Sequence, residues 1–285
     1  NDLTAIEHAV TLVLNNERQE GFVPSNTPIH HRLNQAMITP MRWIPAAVCG
    51  LLGAALAGCA SMPEPRPAEM PQRLPLSFNA KDKMDWEIVA FPGKVRTAFR
   101  KQQHEGRDSV QAESKSSASM LRQKVRISPD QLGRLSFEWQ AESLLDGADL
   151  TAQGRDDSPA RLVLAFDGDR QKFSARNAML SELSRGLTGE DMPYATLMYV
   201  WSNDKPVGTV IVHPRTDRIR KIVVESGPMR LKQWLRYERD LRADFETAFG
   251  EAPGELQALA IMTDSDNTHS RTRAWYGEIR LEPNR

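Results

Sequence analysis

The residues of this chain best equipped for chemistry gather in two acidic stretches. One is Asp156-Asp157-Ser158-Pro159; the other is Asp264-Ser265-Asp266-Asn267-Thr268, directly after the apolar run Leu256 to Met262. An Asp-x-Asp-x-Thr pattern after an apolar strand can present a carboxylate nucleophile for phosphoryl transfer. That use requires an early strand of a parallel sheet with further strand–helix units behind it. Only 17 residues follow Thr268, so this chemistry is not expected. The oxygens of Asp264, Asp266 and Asn267 suit calcium better, although the glycine and distal glutamate of an EF-hand loop are missing. The plainer expectation is an Asx-rich turn whose side chains bond their own backbone. No cofactor is required, and calcium is the one left open.

Asp156 and Asp157 can share a proton or hold a cation. Neighbours in an extended chain point to opposite sides, however, and a solvated turn ended by Pro159 accounts for both. Arg161 opens the next strand, where it can pair with either acid. Past Cys59 the histidines are His104, His213 and His269, and no Gly-x-Ser-x-Gly elbow accompanies them. His213 precedes Pro214 and reads as a turn residue. Of Trp86, Trp139, Trp201, Trp234 and Trp275, core packing explains most. Trp201, at a strand end beside a polar turn, is expected to be exposed and able to stack on a sugar ring.

Length and charge bound the remaining classes. The 285 residues, 40% hydrophobic, suffice for one sizeable core or two small ones. There are 37 basic and 37 acidic residues, which excludes a broad electrostatic footprint for nucleic acid. The 3 basic and 4 acidic residues before Cys59 leave 34 and 33 after it. Cys49 and Cys59 are the only cysteines, so no disulfide, thiol nucleophile or thiolate zinc site is expected beyond Cys59.

The region around Cys59 carries an address. Met41-Arg42 opens a positive start, Ile44 to Ala57 is a short apolar run, and Leu56-Ala57-Gly58-Cys59 closes it. This order fits a secretory signal and resembles the lipobox of bacterial lipoproteins, in which the cysteine is acylated and becomes the first residue. The resemblance implies export, cleavage before Cys59 and a membrane partner through lipid (palmitate included). With Ala60 and Ser61 following, it implies the outer membrane, facing the periplasm. The run is barely long enough for a spanning helix, contains Pro45 and is weakly apolar, which disfavours that reading. Residues 1–40 do not fit a signal. Their first Met is Met37, and a start at Met37 or Met41 is expected. Residues 59–84 are a Pro-rich tether, and residues 85–285 the folded domain.

The elements that must position the acids are mostly strands. Trp86 to Phe91 ends at Pro92-Gly93. Ser109 to Ala112 and Ala118 to Ile127 are weaker strands, and Arg134 to Ala141 alternates Leu135, Phe137 and Trp139 on one face. Ala160 to Phe166 is strongly apolar. Leu197 to Trp201 and Val207 to Val212 flank a hairpin-like turn at residues 203–206. Arg218 to Glu225, Leu256 to Met262 and Arg273 to Leu281 complete the set. Ser174 to Leu187 and Leu231 to Phe249 read as helices, the latter with Leu231, Trp234, Leu235, Leu241, Phe245 and Phe249 on one stripe. Strands and helices do not alternate, so an antiparallel sandwich with two accessory helices is expected.

Ile261 to Thr268, with Ala274-Trp275-Tyr276-Gly277-Glu278-Ile279, resembles the ending of an exported bacterial family, domain of unknown function 3047. Phe91-Pro92-Gly93-Lys94, Ser117-Ala118-Ser119, Asp156 to Arg161, Tyr199-Val200-Trp201 and Asp244-Phe245 agree with it over residues 85–282. The resemblance brings no established activity. The layout is also similar to galactose-binding-like jelly rolls, many of which bind sugars. The expected function is a non-catalytic ligand-binding sandwich for an envelope glycan or protein, with Asp156, Asp157, Trp201, Asp264, Asp266 and Asn267 as candidate ligand or metal residues. An envelope hydrolase using Asp or Glu, and a structural protein-binding lipoprotein, are the alternatives.

Overall fold

A computed structural model describes residues 86–282. The signal segment 41–58, Cys59, the tether and residues 1–40 lie outside the described residues. Among the described residues, twelve strands form two sheets. In chain order they are β1 (Trp86–Ala90), β2 (Ala98–His104), β3 (Arg107–Lys115), β4 (Ser119–Ile127), β5 (Arg134–Ala141), β6 (Ser158–Phe166), β7 (Ala195–Ser202), β8 (Val210–Val212), β9 (Ile219–Ser226), β10 (Leu235–Asp240), β11 (Leu256–Asp264) and β12 (Arg271–Glu282). One sheet has the order β1-β4-β11-β6-β7-β9-β8, the other β10-β5-β12-β3-β2. All pairings are antiparallel except β7 with β9. The chain crosses between sheets repeatedly, from β1 to β2, β3 to β4, β4 to β5, β5 to β6, β9 to β10, β10 to β11 and β11 to β12. Such crossing builds a jelly-roll-like sandwich.

Period-2 patterning explains the main core. Leu135, Phe137 and Trp139 on β5 and Ala274 and Tyr276 on β12 face Leu162, Leu164 and Phe166 on β6 and Leu197 and Tyr199 on β7. Phe137 and Tyr199 stack across the interface with centroids 5.4 Å apart. The opposite residues of the seven-stranded sheet, including Met120, Val163, Met198, Val200, Ala260 and Met262, form a second apolar layer with Leu150.

Helix α1 (Ala175–Thr188) begins where Ser174 accepts from the Asn177 amide and ends at Gly189 with φ 78°. On this helix Met179 is 44% exposed, while Leu180 is buried. The expected helix Leu231 to Phe249 is corrected. Its first half is β10, paired with β5 from Leu235 opposite Trp139 to Asp240 opposite Arg134. Only Leu241–Phe249 is helical, as α2. Arg236-Tyr237-Glu238-Arg239 alternates, and β5 offers an open edge for it. Asp240 then caps the helix by accepting from the Ala243 amide. The expected hairpin over residues 203–206 is also corrected, because β9 lies between β7 and β8. The polar strand β2 had no apolar pattern to announce it; it lies on the sheet edge. Among the described residues no helix is long and apolar enough to cross a membrane.

Candidate functional site: a buried acidic clasp

β6 and β11 are neighbours with a register shift at the end where Asp264 opposes Ser158. This brings both acidic stretches together. Asp157, Asp264 and Asp266 have carboxylate oxygens within 4.8 Å of one another. Asp156, Asp157 and Asp264 are all buried, not solvated as expected of a turn. The acids bond across the chain rather than to their own backbone. Asp157 Oδ1 accepts from Asn267 Nδ2 at 2.9 Å and from the Asn267 amide at 3.4 Å; Oδ2 accepts from the Thr268 amide and hydroxyl, each at 2.7 Å. Four donors saturate this carboxylate.

Cations meet the other acids. Arg161 Nη2 lies 2.9 Å from Asp264 Oδ2, and the Ser158 amide donates to Asp264 Oδ1 at 3.1 Å. Arg161 also donates to the Asp156 carbonyl. Lys221, 0% exposed, reaches Asp156 Oδ2 at 2.8 Å and the Leu150 carbonyl at 3.4 Å. His213 Nε2 stands 4.0 Å from the same carboxylate. Lys94 pairs with Asp266. Four carboxyls therefore face three cations and one imidazole.

Enclosure sorts their protonation. Burial raises the Asp156 carboxyl, but Lys221, Arg161 and His213 outweigh it and hold it below the ordinary carboxylate range. Asp264 goes the other way. Complete burial pushes it well above that range; Arg161 opposes, and Asp157, Asp266 and Asp156 add to the rise.

Trp201 is not at a ligand surface. It is 0% exposed, and its Nε1 donates to the Gly227 carbonyl at 3.0 Å. Leu197, Tyr199 and Trp201 share the inward face of β7, so strand parity overrides its position beside a polar turn. The Trp201 carbonyl accepts from the Ser158 hydroxyl at 2.8 Å; its indole stays in the inter-sheet core. Lys221 and His213 are residues that sequence reasoning missed. Lys221 sits in an alternating charged run with the look of a solvated face, and His213 looked like an end-of-strand turn residue. The available signal was parity: Lys221 is two residues from both Ile219 and Val223, which lie in the second apolar layer.

The outer face of the seven-stranded sheet also carries an open groove of about 380 Å³. Its apolar lining includes Met120, Val163, Ala165, Ala258 and Ala260, of which Met120, Val163 and Ala260 are 3% exposed or less. Its sides carry paired charges: Arg122 with Glu87 and Glu190, Lys124 with Glu190, and Arg126 with Glu255.

A two-sheet antiparallel sandwich, locked at one end by buried acids and open along a groove on one outer face, is the class of protein that this fold and site define. The chain belongs to the family described as "Protein of unknown function (DUF3047)", whose model matches residues 84–280. No curated protein matches the chain. Among solved structures it is similar to a family 11 carbohydrate-binding module of a Clostridium thermocellum cellulosomal cellulase, at 7% identity over 76% of this chain and 97% of that one, with a TM-score of 0.38. It is also similar to the xyloglucanase domain of a Sinorhizobium fredii effector, at 8% identity over 70% and 93%, with a TM-score of 0.37. At these scores neither likeness speaks to ligand or chemistry.

Proposed function

We propose that this chain is an exported lipoprotein, anchored through Cys59, whose sandwich binds a cell-envelope glycan without catalysis. The observation that carries the binding role is the groove. A concave site of this size, with an apolar floor and a few placed polar groups, is the usual form of a small-ligand site. The methyl groups of Ala165 and Ala258 suit the C–H faces of sugar rings, and the paired charges of the groove suit hydroxyls. The acids favour binding over hydrolysis. Glycoside cleavage needs two carboxyls flanking a bond in an accessible cleft; here they converge, but in an enclosed cluster where Arg161, Lys221, Lys94, Asn267 and Thr268 engage them. The anchor rests on Leu56-Ala57-Gly58-Cys59 and the Pro-rich stretch behind it.

The test is fractionation of cells together with pulldown on isolated envelope glycan. The native chain is expected in the membrane, and Cys59→Ser in the soluble fraction. Ala258→Trp, which fills the groove, is expected to lower glycan retention severalfold. A membrane-bound Cys59→Ser protein of unchanged size would remove the anchor, and retention unaffected by Ala258→Trp would remove the groove.

A further inference from the structure

The outer face of the five-stranded sheet gathers unmet hydrogen bonds around one indole. Trp275 on β12 lies between Gln140 on β5 and Gln111 on β3. The His104 imidazole stacks on it at 4.0 Å between centroids, 5° from parallel, and Trp234 stands 6.1 Å from His104. Trp275 Nε1, Trp234 Nε1, Gln140 Oε1 and His104 Nε2 are buried and have no hydrogen-bond partner. Trp275 is only 7% exposed and Gln140 only 2%. Buried polar atoms are nearly always satisfied, so four in one aromatic cluster call for a cause.

We infer that this cluster is a site for a neutral sugar ring, with Trp275 as its platform and His104 as a displaceable cover. The donor and acceptor types select the ligand. Both indole nitrogens only donate, and Gln140 Oε1 only accepts. An anion would accept from the indoles but has nothing to give Gln140. A cation would give to Gln140 but cannot accept from the indoles. Hydroxyls do both. The neighbouring cations are already matched: Arg107, 5.3 Å above Trp234, binds Glu138 at 2.6 Å, and Arg273 binds Glu142 through two hydrogen bonds. Glu105 also borders the cluster, its Oε1 accepting from Gln140 Nε2 at 3.3 Å and lying 3.8 Å from His104 Nε2, and a carboxylate there accepts from ligand hydroxyls and repels an anion. Stacking supplies the remainder, since a pyranose C–H face covers an indole as the imidazole does here. His104 ends β2 beside the two-residue turn Glu105-Gly106, whose φ values are 51° and 77°. That turn lies at the sheet edge, and the His104 side chain can swing outward from it. The site stands apart from the groove, on the opposite outer face of the sandwich.

The test is titration of the full chain with cellotriose, maltotriose, xylotriose and chitotriose, followed by tryptophan fluorescence and calorimetry. At least one is expected to give a saturable response. Trp275→Phe keeps a ring but loses the N–H, and is expected to weaken that binding about fivefold to tenfold. His104→Ala removes the competing ring and is expected to tighten it severalfold, an effect that a merely structural histidine would not have. Circular dichroism and melting establish that each variant is folded. No saturable response to any of the four sugars, unchanged binding by folded Trp275→Phe, or weaker binding by His104→Ala overturns the inference. Ala258→Trp separates it from the groove. Loss of trisaccharide binding in that variant, with Trp275→Phe unaffected, would assign the sugar to the groove and overturn the platform.

Discussion

Replacing Asp156 with Ala leaves the Lys221 ammonium enclosed, with only the Leu150 carbonyl at 3.4 Å from its nitrogen. Removing one partner of a buried ion pair costs about 3–5 kcal/mol, because the survivor has lost both water and counter-charge. A domain of about this length melts roughly 2–4 °C lower per kcal/mol, so a fall of about 6–20 °C is expected. Lys221→Met should cost less than Asp156→Ala, because Asp156 keeps His213 and Asn267 Nδ2, at 4.0 and 3.4 Å, and the field of Arg161. The double variant removes both charges. It should cost well under the sum of the singles, a coupling of at least about 2 kcal/mol, in the upper part of the range for residues in direct contact. The assay is urea unfolding of wild type, both singles and the double at one pH and salt. Additive losses would refute the reasoning, because they would mean that the two groups do not stabilise each other.

The raised carboxyl of Asp264 makes stability depend on pH. A group whose folded pKa is raised contributes stability below its unfolded value, near pH 4, and loses it as pH rises toward the folded value. Asp264→Asn should therefore flatten the decline in melting temperature above pH 4, and profiles parallel to wild type would sink the idea. Asp156, held low, acts in the opposite sense: its contribution is present above pH 4 and lost below it, so Asp156→Ala should lose less stability on acidification than wild type. Because four donors already occupy Asp157, calcium should give neither heat by calorimetry nor a rise in melting temperature. A saturable signal that Asp157→Asn abolishes would convert the clasp into a metal site.

The strands with the strongest alternation were legible in the sequence, and the contacts across the chain were not. Arg134 to Ala141 is a strand with the expected limits, because Leu135, Phe137 and Trp139 leave one choice of face. The stretch Ser174 to Leu187 located α1 to within a residue at each end, and the structure shows Ser174 to be its cap. The segment 231–249 misled because its apolar residues satisfy a helical stripe while 236–239 alternate; the open edge of β5 decides between them, and no local pattern reveals that edge. Trp201 was readable by parity with Leu197 and Tyr199, but its polar neighbours outweighed that signal. The acids were found as residues and missed as an arrangement. Asp157 and Thr268 are 111 positions apart, and their meeting depends on β6 lying beside β11.

The last two of the described strands, β11 and β12, sit inside their sheets: β11 between β4 and β6, β12 between β5 and β3. Neither sheet can be completed until residues 256–282 arrive, since each half lacks the strand that joins it to the other. Pairings this distant in sequence are slow to form. A polypeptide whose residues 256–282 have not yet joined therefore stays open and threadable, and both layers close together when that segment enters. Loss of that segment would leave four unsupported sheet fragments instead of a shortened domain.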